Sequence, residues 1–198
     1  MKHLKIVSIA IILLVSGCKP EAKEKMDSKM NHEEHQTEKT KDTTKKKPLS
    51  PHTATMAMVG DAHIHIDYSS PGVRDRIIYG GLVSYDSIWQ AGAHMATWIE
   101  TNKDLLINGK TLPSGKYGFF TIPSKGNWVV IFNKNWEQHG KDEYDINDDV
   151  IRFNVTPLIL DDITEHLEYK VTKTDEAEGI ISLSWEKVTV SFPFKVKK

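Results

Sequence analysis

The chain has 198 residues, with 26 Lys and Arg against 27 Asp and Glu and a single cysteine. That length suits one compact domain with extensions, and one cysteine excludes an internal disulfide and any multi-thiolate metal centre. Positions 1–50 hold eleven basic and seven acidic residues, leaving 15 basic against 20 acidic in 51–198, so the body of the chain is acidic and lacks the basic stripe of a nucleic-acid binder.

The N-terminus reads as an address. Lys2 and Lys5 precede an apolar run from Ile6 to Val15, too short to span a bilayer comfortably and suited to a signal-peptide core. Ser16-Gly17-Cys18 closes it, and residues 1–18 resemble a bacterial lipoprotein signal, although Val15 stands where such signals more often have Leu. The resemblance implies cleavage before Cys18, lipidation of that cysteine and attachment to a membrane. Lys19, in place of the Asp of many inner-membrane lipoproteins, points to the outer membrane. Residues 19–50 contain nine Lys and seven acidic residues, no aromatic residue and Leu49 as the one large aliphatic. Such a composition cannot bury enough apolar surface to offset chain entropy, so it predicts a disordered tether. Met26, Met30, His32 and His35 punctuate the tether with thioethers and imidazoles, ligands that suit copper.

From Pro51 onward, residues 51–198 alternate with the strand period. His63 to Tyr68 puts Ile64, Ile66 and Tyr68 on one face of a strand and His63, His65 and Asp67 on the other. Met56 and Met58 precede it, either as reserve ligands or as core residues of a first strand beneath Ile64 and Ile66. Ser87–Ala91 is expected to form one helical turn, and His94 to start an alternating run to Thr101. Leu105 to Ile107 ends at Asn108-Gly109, a strong hairpin signal. Tyr117–Ile122 and Trp128–Asn133 follow between further turns; the second is apolar on both faces and so central in a covered sheet. Trp136–Tyr144 is expected to be helical, which would set His139 and Glu143 on one face. Val150–Thr156, Glu165–Thr172, Gly179–Glu186 and Val188–Val196 complete the strands, with Pro193 demoting the last to an edge. Strands at this spacing without long helical patterns between them predict an all-β fold, an antiparallel β-sandwich of jelly-roll-like or barrel-like form.

The chain from about Ser50 to the C-terminus resembles the bacterial lipoprotein family labelled domain of unknown function 2911. The resemblance rests on Tyr68-Ser69-Ser70-Pro71-Gly72-Val73-Arg74-Asp75-Arg76, on Gly80-Gly81-Leu82-Val83 with Tyr85, Trp89, Gly92 and Ala93, and on Leu112 to Pro123. Trp128, Val130, Ile131, Asn133 and Lys134, then Leu183 and Trp185, extend it. It implies no activity. Many members have an Asn-Glu pair where this chain has His94-Met95.

His63, His65 and His94 are the primary candidate metal ligands, with Met95 and His139 beside them and His52, Met56 and Met58 in reserve. Three histidines with an open fourth place form a catalytic-zinc pattern, whereas three histidines with a thioether suit copper. Asp67 is a further ligand or fixes a ring from behind. Arg74 and Arg76 on a loop, with Trp136, form a candidate ligand-binding group, the guanidiniums clamping a carboxylate or phosphate and the indole stacking on a glycan. Catalytic residues are not assigned: Pro113-Ser114-Gly115 is a turn and not a nucleophile elbow, and Asp142, Glu143, Asp145, Asp148 and Asp149 read as a polar loop. The leading reading is a cell-envelope lipoprotein that binds a copper or zinc ion, copper first. Its alternatives are a non-catalytic module for a glycan or envelope protein and a metal-dependent hydrolase.

Overall fold

The computed structural model describes residues 48–198; the signal segment, Cys18 and residues 19–47 of the expected tether lie outside the described residues. Ten strands run through the described part: β1 (His52–Val59), β2 (Ala62–Ser69), β3 (Trp98–Thr101), β4 (Leu105–Ile107), β5 (Lys110–Leu112), β6 (Gly115–Ile122), β7 (Trp128–Asn133), β8 (Asp149–Val155), β9 (Leu158–Asp175) and β10 (Glu178–Val196). They form two sheets, one in the order β1-β2-β3-β6-β7-β8 and one in the order β5-β4-β10-β9. Every strand pairing is antiparallel. The chain is therefore the all-β, antiparallel, sandwich-like protein that its alternation predicts.

Alternation decides what each sheet buries. Ile64, Ile66, Ile99, Phe119, Val130 and Phe132 from the first sheet share one apolar cluster with Leu167, Tyr169, Ile181, Leu183 and Phe192 from the second. Each fully buried side chain of this size stabilises the fold by about 1.5–3 kcal/mol, so this interior carries the domain without covalent staples. A second, smaller cluster of Ala96, Phe120 and Ile131 covers the opposite face of β6 and β7. That is why β7 is apolar on both sides. At the other end of the same sheet, the outer face of β1 and β2 is left without such a cover.

Two expectations about strand order change. Leu158–Asp175 and Glu178–Val196 are single strands of 18 and 19 residues, and the break expected at Lys187 is a bulged stretch around Glu186, whose φ is 55°. β10 is not an edge strand, since it lies between β4 and β9. Pro193 is accommodated there because pairing to β9 ends at Thr189 and pairing to β4 begins only at Phe194, so neither neighbour requires its missing N–H.

Local expectations fared unevenly. Asn108 and Gly109 make the anticipated tight turn, both at positive φ (49° and 76°). The run expected to begin at His94 becomes a strand only at Trp98, because Ala91 and His94 adopt left-handed φ values of 51° and 62° that interrupt an extended chain. Neither Ser87–Ala91 nor Trp136–Tyr144 is helical; the helical turn among the described residues is a 3-10 turn at Ile146–Asp148, capped by the Asp145 carboxylate accepting from the Asn147 N–H. Loop residues 70–97 are instead tacked to the sheet by an isolated bridge between Trp89 and Thr121, and to loop 134–148 by one between Met95 and His139.

Candidate metal centre

Val59-Gly60-Asp61-Ala62 joins β1 to β2 through a two-residue turn in which Gly60 takes a φ of 60°. This turn fixes the register: Met58 pairs with His63 and Met56 pairs with His65. Residues directly opposite in an antiparallel pair point to the same side, with Cβ atoms about 4.5–5.5 Å apart, and positions two apart on one strand are separated by roughly 7 Å. Two thioethers and two imidazoles thus occupy the corners of a small rectangle on the outer face, while Ile64 and Ile66 point inward with no exposure. Met56 and Met58 are not core residues; they are 60% and 55% exposed. Their outward position follows from the same pairing that sends the histidines outward.

The two imidazoles are close enough to share an ion. Their ring centres are 6.3 Å apart. With metal–nitrogen bonds of about 2.0–2.1 Å and a ring centre roughly one ångström behind each nitrogen, two imidazoles on one ion place their centres roughly 5 Å apart at a tetrahedral angle and roughly 6.5 Å apart at a linear one. This separation matches a near-linear pair and closes by about 1 Å for a tetrahedral one. The His65 ring lies edge-on to Trp98 at 4.8 Å, and its Nε2 is buried with no hydrogen-bond partner. A buried ring nitrogen without a partner is costly, and a ligated ion is one way to satisfy it. The His63 backbone N–H donates to the Asn102 side chain at 2.8 Å, which pins the β2 end of the rectangle and leaves the ring out of the bond.

The other predicted ligands lie elsewhere. His94 is in a loop, exposed at left-handed φ, and lines a cavity with Arg74, Arg76 and Lys141; its carbonyl oxygen accepts from the Gly140 N–H at 2.7 Å. Met95 bridges His139, and the His139 Nδ1 lies 3.2 Å from the Asp142 carboxylate. Met95 also borders a cleft with His52, Asp67, Trp98 and Trp136, where the His52 Nε2 meets the Asp67 carboxylate at 2.8 Å. Among the described residues no three His, Cys, Asp or Glu side chains converge on one point. The structure therefore brings His63 to His65 and Met95 to His139, and does not bring His94 to the first pair.

Arg74, Arg76 and Trp136 are likewise divided. Both arginines line the same cavity as His94, and Arg76 is held by two carbonyls, its Nη2 donating to Gly72 at 2.6 Å and its Nε to Val73 at 3.1 Å. Trp136 is half-buried on the outer face of the first sheet, where it and Trp98 flank the Lys116 ammonium, each ring centre 3.5 Å from Nζ. This cation sandwich beside His65 escaped the sequence reading. The one available signal was Trp98 and Lys116 falling on neighbouring strands, which needs the pairing of β3 with β6 to be known.

The fold defines a class: an antiparallel β-sandwich, here with two thioethers and two imidazoles side by side on the outer face of β1 and β2. The family model described as "Protein of unknown function (DUF2911)" matches residues 50–194, and the chain belongs to that family. No curated protein and no solved structure matches the chain.

Proposed function

We propose that this protein is a cell-envelope lipoprotein, anchored through Cys18, whose folded domain holds monovalent copper between Met56, Met58, His63 and His65. The observation that carries the reading is the register of β1 on β2, which sets a Met-x-Met pair directly against a His-x-His pair. Thioether sulfur selects Cu(I), and imidazole nitrogen accepts it. Zinc, which draws on thiolate, imidazole and carboxylate, would use only half of this donor set. The partnerless Nε2 of His65 and the exposed, conformationally free thioethers support the same assignment. A storage, delivery or tolerance role suits a site of neutral donors whose two thioethers are open to solvent. Met26, Met30, His32 and His35 of the tether offer a second set of the same donors.

The test is a Cu(I) competition titration of the full chain in which those four tether residues have been replaced by Ser or Asn. The expected result is one equivalent of Cu(I) bound, with affinity falling by about 100-fold or more in His63→Ala/His65→Ala and about tenfold in Met56→Leu/Met58→Leu, a tenfold loss being about 1.4 kcal/mol. Unchanged affinity when Met56, Met58, His63 and His65 are all replaced in that background would overturn the assignment. The anchor is tested separately: Cys18→Ser is expected to move the protein from the membrane fraction to the soluble one, and retention in the membrane refutes lipidation at that residue.

A further inference from the structure

A second feature stands apart from the His/Met face. The loops 70–97 and 134–148, Ser50 and Trp185 in the body of β10 line a half-open cavity of about 390 Å³, within the size range of small-molecule sites. Trp89 and Trp185 contribute stacked indoles to its wall, their ring centres 5.8 Å apart with an interplanar angle of 23°. Around them stand Arg74, Arg76, Lys141 and His94, and no carboxylate lines the cavity. Residues 51–198 carry more acidic than basic side chains, so this gathering of cations runs against the charge of the domain. Among the described residues, none of the three permanent cations is in an ion pair. Glu165 accepts from the Arg74 backbone N–H at 3.0 Å, and neither it nor Asp75 lines the cavity.

Two further observations point to a ligand. Trp89 donates its indole N–H to the Gly92 carbonyl at 3.1 Å, whereas the Nε1–H of Trp185, a side chain only 1% exposed, has no acceptor. That unpaired donor is buried, and the indole that carries it forms part of the cavity wall. The backbone around the cavity is also strained. Of the seven non-glycine residues at positive φ, five fall between Arg74 and His94, and a sixth, Glu186, follows Trp185. Such outliers persist where surrounding structure holds them for a purpose. Arg76 is already fixed by two carbonyls through Nε and Nη2, leaving its remaining donors pre-organised for a planar anion.

We infer that this cavity binds a small organic anion, a carboxylate or phosphate borne on a flat apolar body, with Arg76 and Lys141 meeting the anionic group and Trp89 and Trp185 the body. The site is independent of the metal centre. It is tested on the full chain with chelator present, by calorimetry and tryptophan fluorescence, using benzoate, phenyl phosphate, inorganic phosphate and neutral benzamide as probes. Benzoate or phenyl phosphate is expected to bind at least about tenfold more tightly than benzamide, with affinity falling as salt rises. The ratio of benzoate to phenyl phosphate separates a carboxylate site from a phosphate site, and inorganic phosphate reports how much of the binding needs the apolar body. Lys141→Met, an exposed change that spares the fold, is expected to weaken the preferred anion about tenfold, and Arg76→Gln more. Equal binding of anion and amide, no binding of any probe, or no response to Lys141→Met would overturn the assignment.

Discussion

Tyr79→Phe tests the physical account of the interior directly. Tyr79 is 7% exposed, and its ring packs edge-on against Trp128 at 4.8 Å, Trp89 at 6.1 Å and Trp185 at 6.2 Å. Its hydroxyl is buried without a hydrogen-bond partner. A buried polar group in that condition costs about 1–3 kcal/mol, and the phenylalanine keeps the ring while giving up only the contacts of one oxygen. A gain of about 1 kcal/mol at pH 7 is expected, read as a rise of about 2–4 °C in Tm for a chain of this size. The gain should widen in alkali. Burial is the main cause that pushes the Tyr79 phenol well above its ordinary value of 10.0, with Glu186 and Tyr85 adding to it. A group whose folded pKa is raised stabilises fully below its unfolded pKa and loses that contribution as pH climbs past it. Above about pH 10 the unfolded phenol ionises and the folded one does not, so the native state loses about 1.4 kcal/mol per pH unit for each such tyrosine. Near pH 11 the variant is spared one of these losses, and its advantage should reach about 2–2.5 kcal/mol. Urea unfolding of both proteins at pH 7 and near pH 11 measures this. A loss of more than about 1 kcal/mol at pH 7, or an advantage that does not grow with pH, would refute the reasoning.

Other changes have equally definite outcomes. Burial also raises the phenols of Tyr68, Tyr117, Tyr144 and Tyr169, so wild-type stability should fall steeply from about pH 10 upward, as urea midpoints against pH will show. Asn133 is fully buried; its amide donates to the Asp145 carbonyl and the Asp149 carboxylate, both at 2.8 Å, and its oxygen accepts from the Asn135 N–H at 2.9 Å. Asn133→Ala should cost about 3–5 kcal/mol by urea unfolding, two neutral bonds and one to a charged acceptor, and a loss under about 1 kcal/mol would show that the loop does not depend on this hub. Gly118→Ala places a Cβ 2.8 Å from the Asn135 carbonyl oxygen and from Phe120 Cε2, and an overpacking loss of about 1–3 kcal/mol is expected in the same assay. Lys116→Met removes the cation between Trp98 and Trp136, for an expected loss of about 1 kcal/mol and an altered tryptophan emission; an unchanged spectrum would show that the contact does not persist in solution.

Much of the architecture was legible because its signals are local. Alternation assigned Ile64 and Ile66 to the interior, and Asn108-Gly109 marked its own turn. Gly60-Asp61 between two alternating runs held the pairing of Met56 with His65 as well, although the methionines could equally be read as core until the register of β1 on β2 was known. Other features depend on backbone states that their residues do not advertise. Ala91 and His94 are left-handed, a conformation more often signalled by glycine or asparagine, so nothing local warned that His94 leaves the strand and faces the cavity. The same applies to Pro193, whose placement inside a sheet became admissible only once the staggered ends of β9 and β4 were in view. Lys116 and Trp98 met through a pairing of distant segments, which periodicity does not encode.

The two-residue hairpin at Gly60 and Asp61 has a consequence for how this family can vary. All sulfur donors of the proposed centre belong to β1 and all nitrogen donors to β2, and only the turn's length keeps the two sets in step. Adding one residue to β1 just before the turn would rotate Met56 and Met58 into the interior while His63 and His65 stayed outside. Sulfur and nitrogen would then part company in one mutational step, without any donor being replaced.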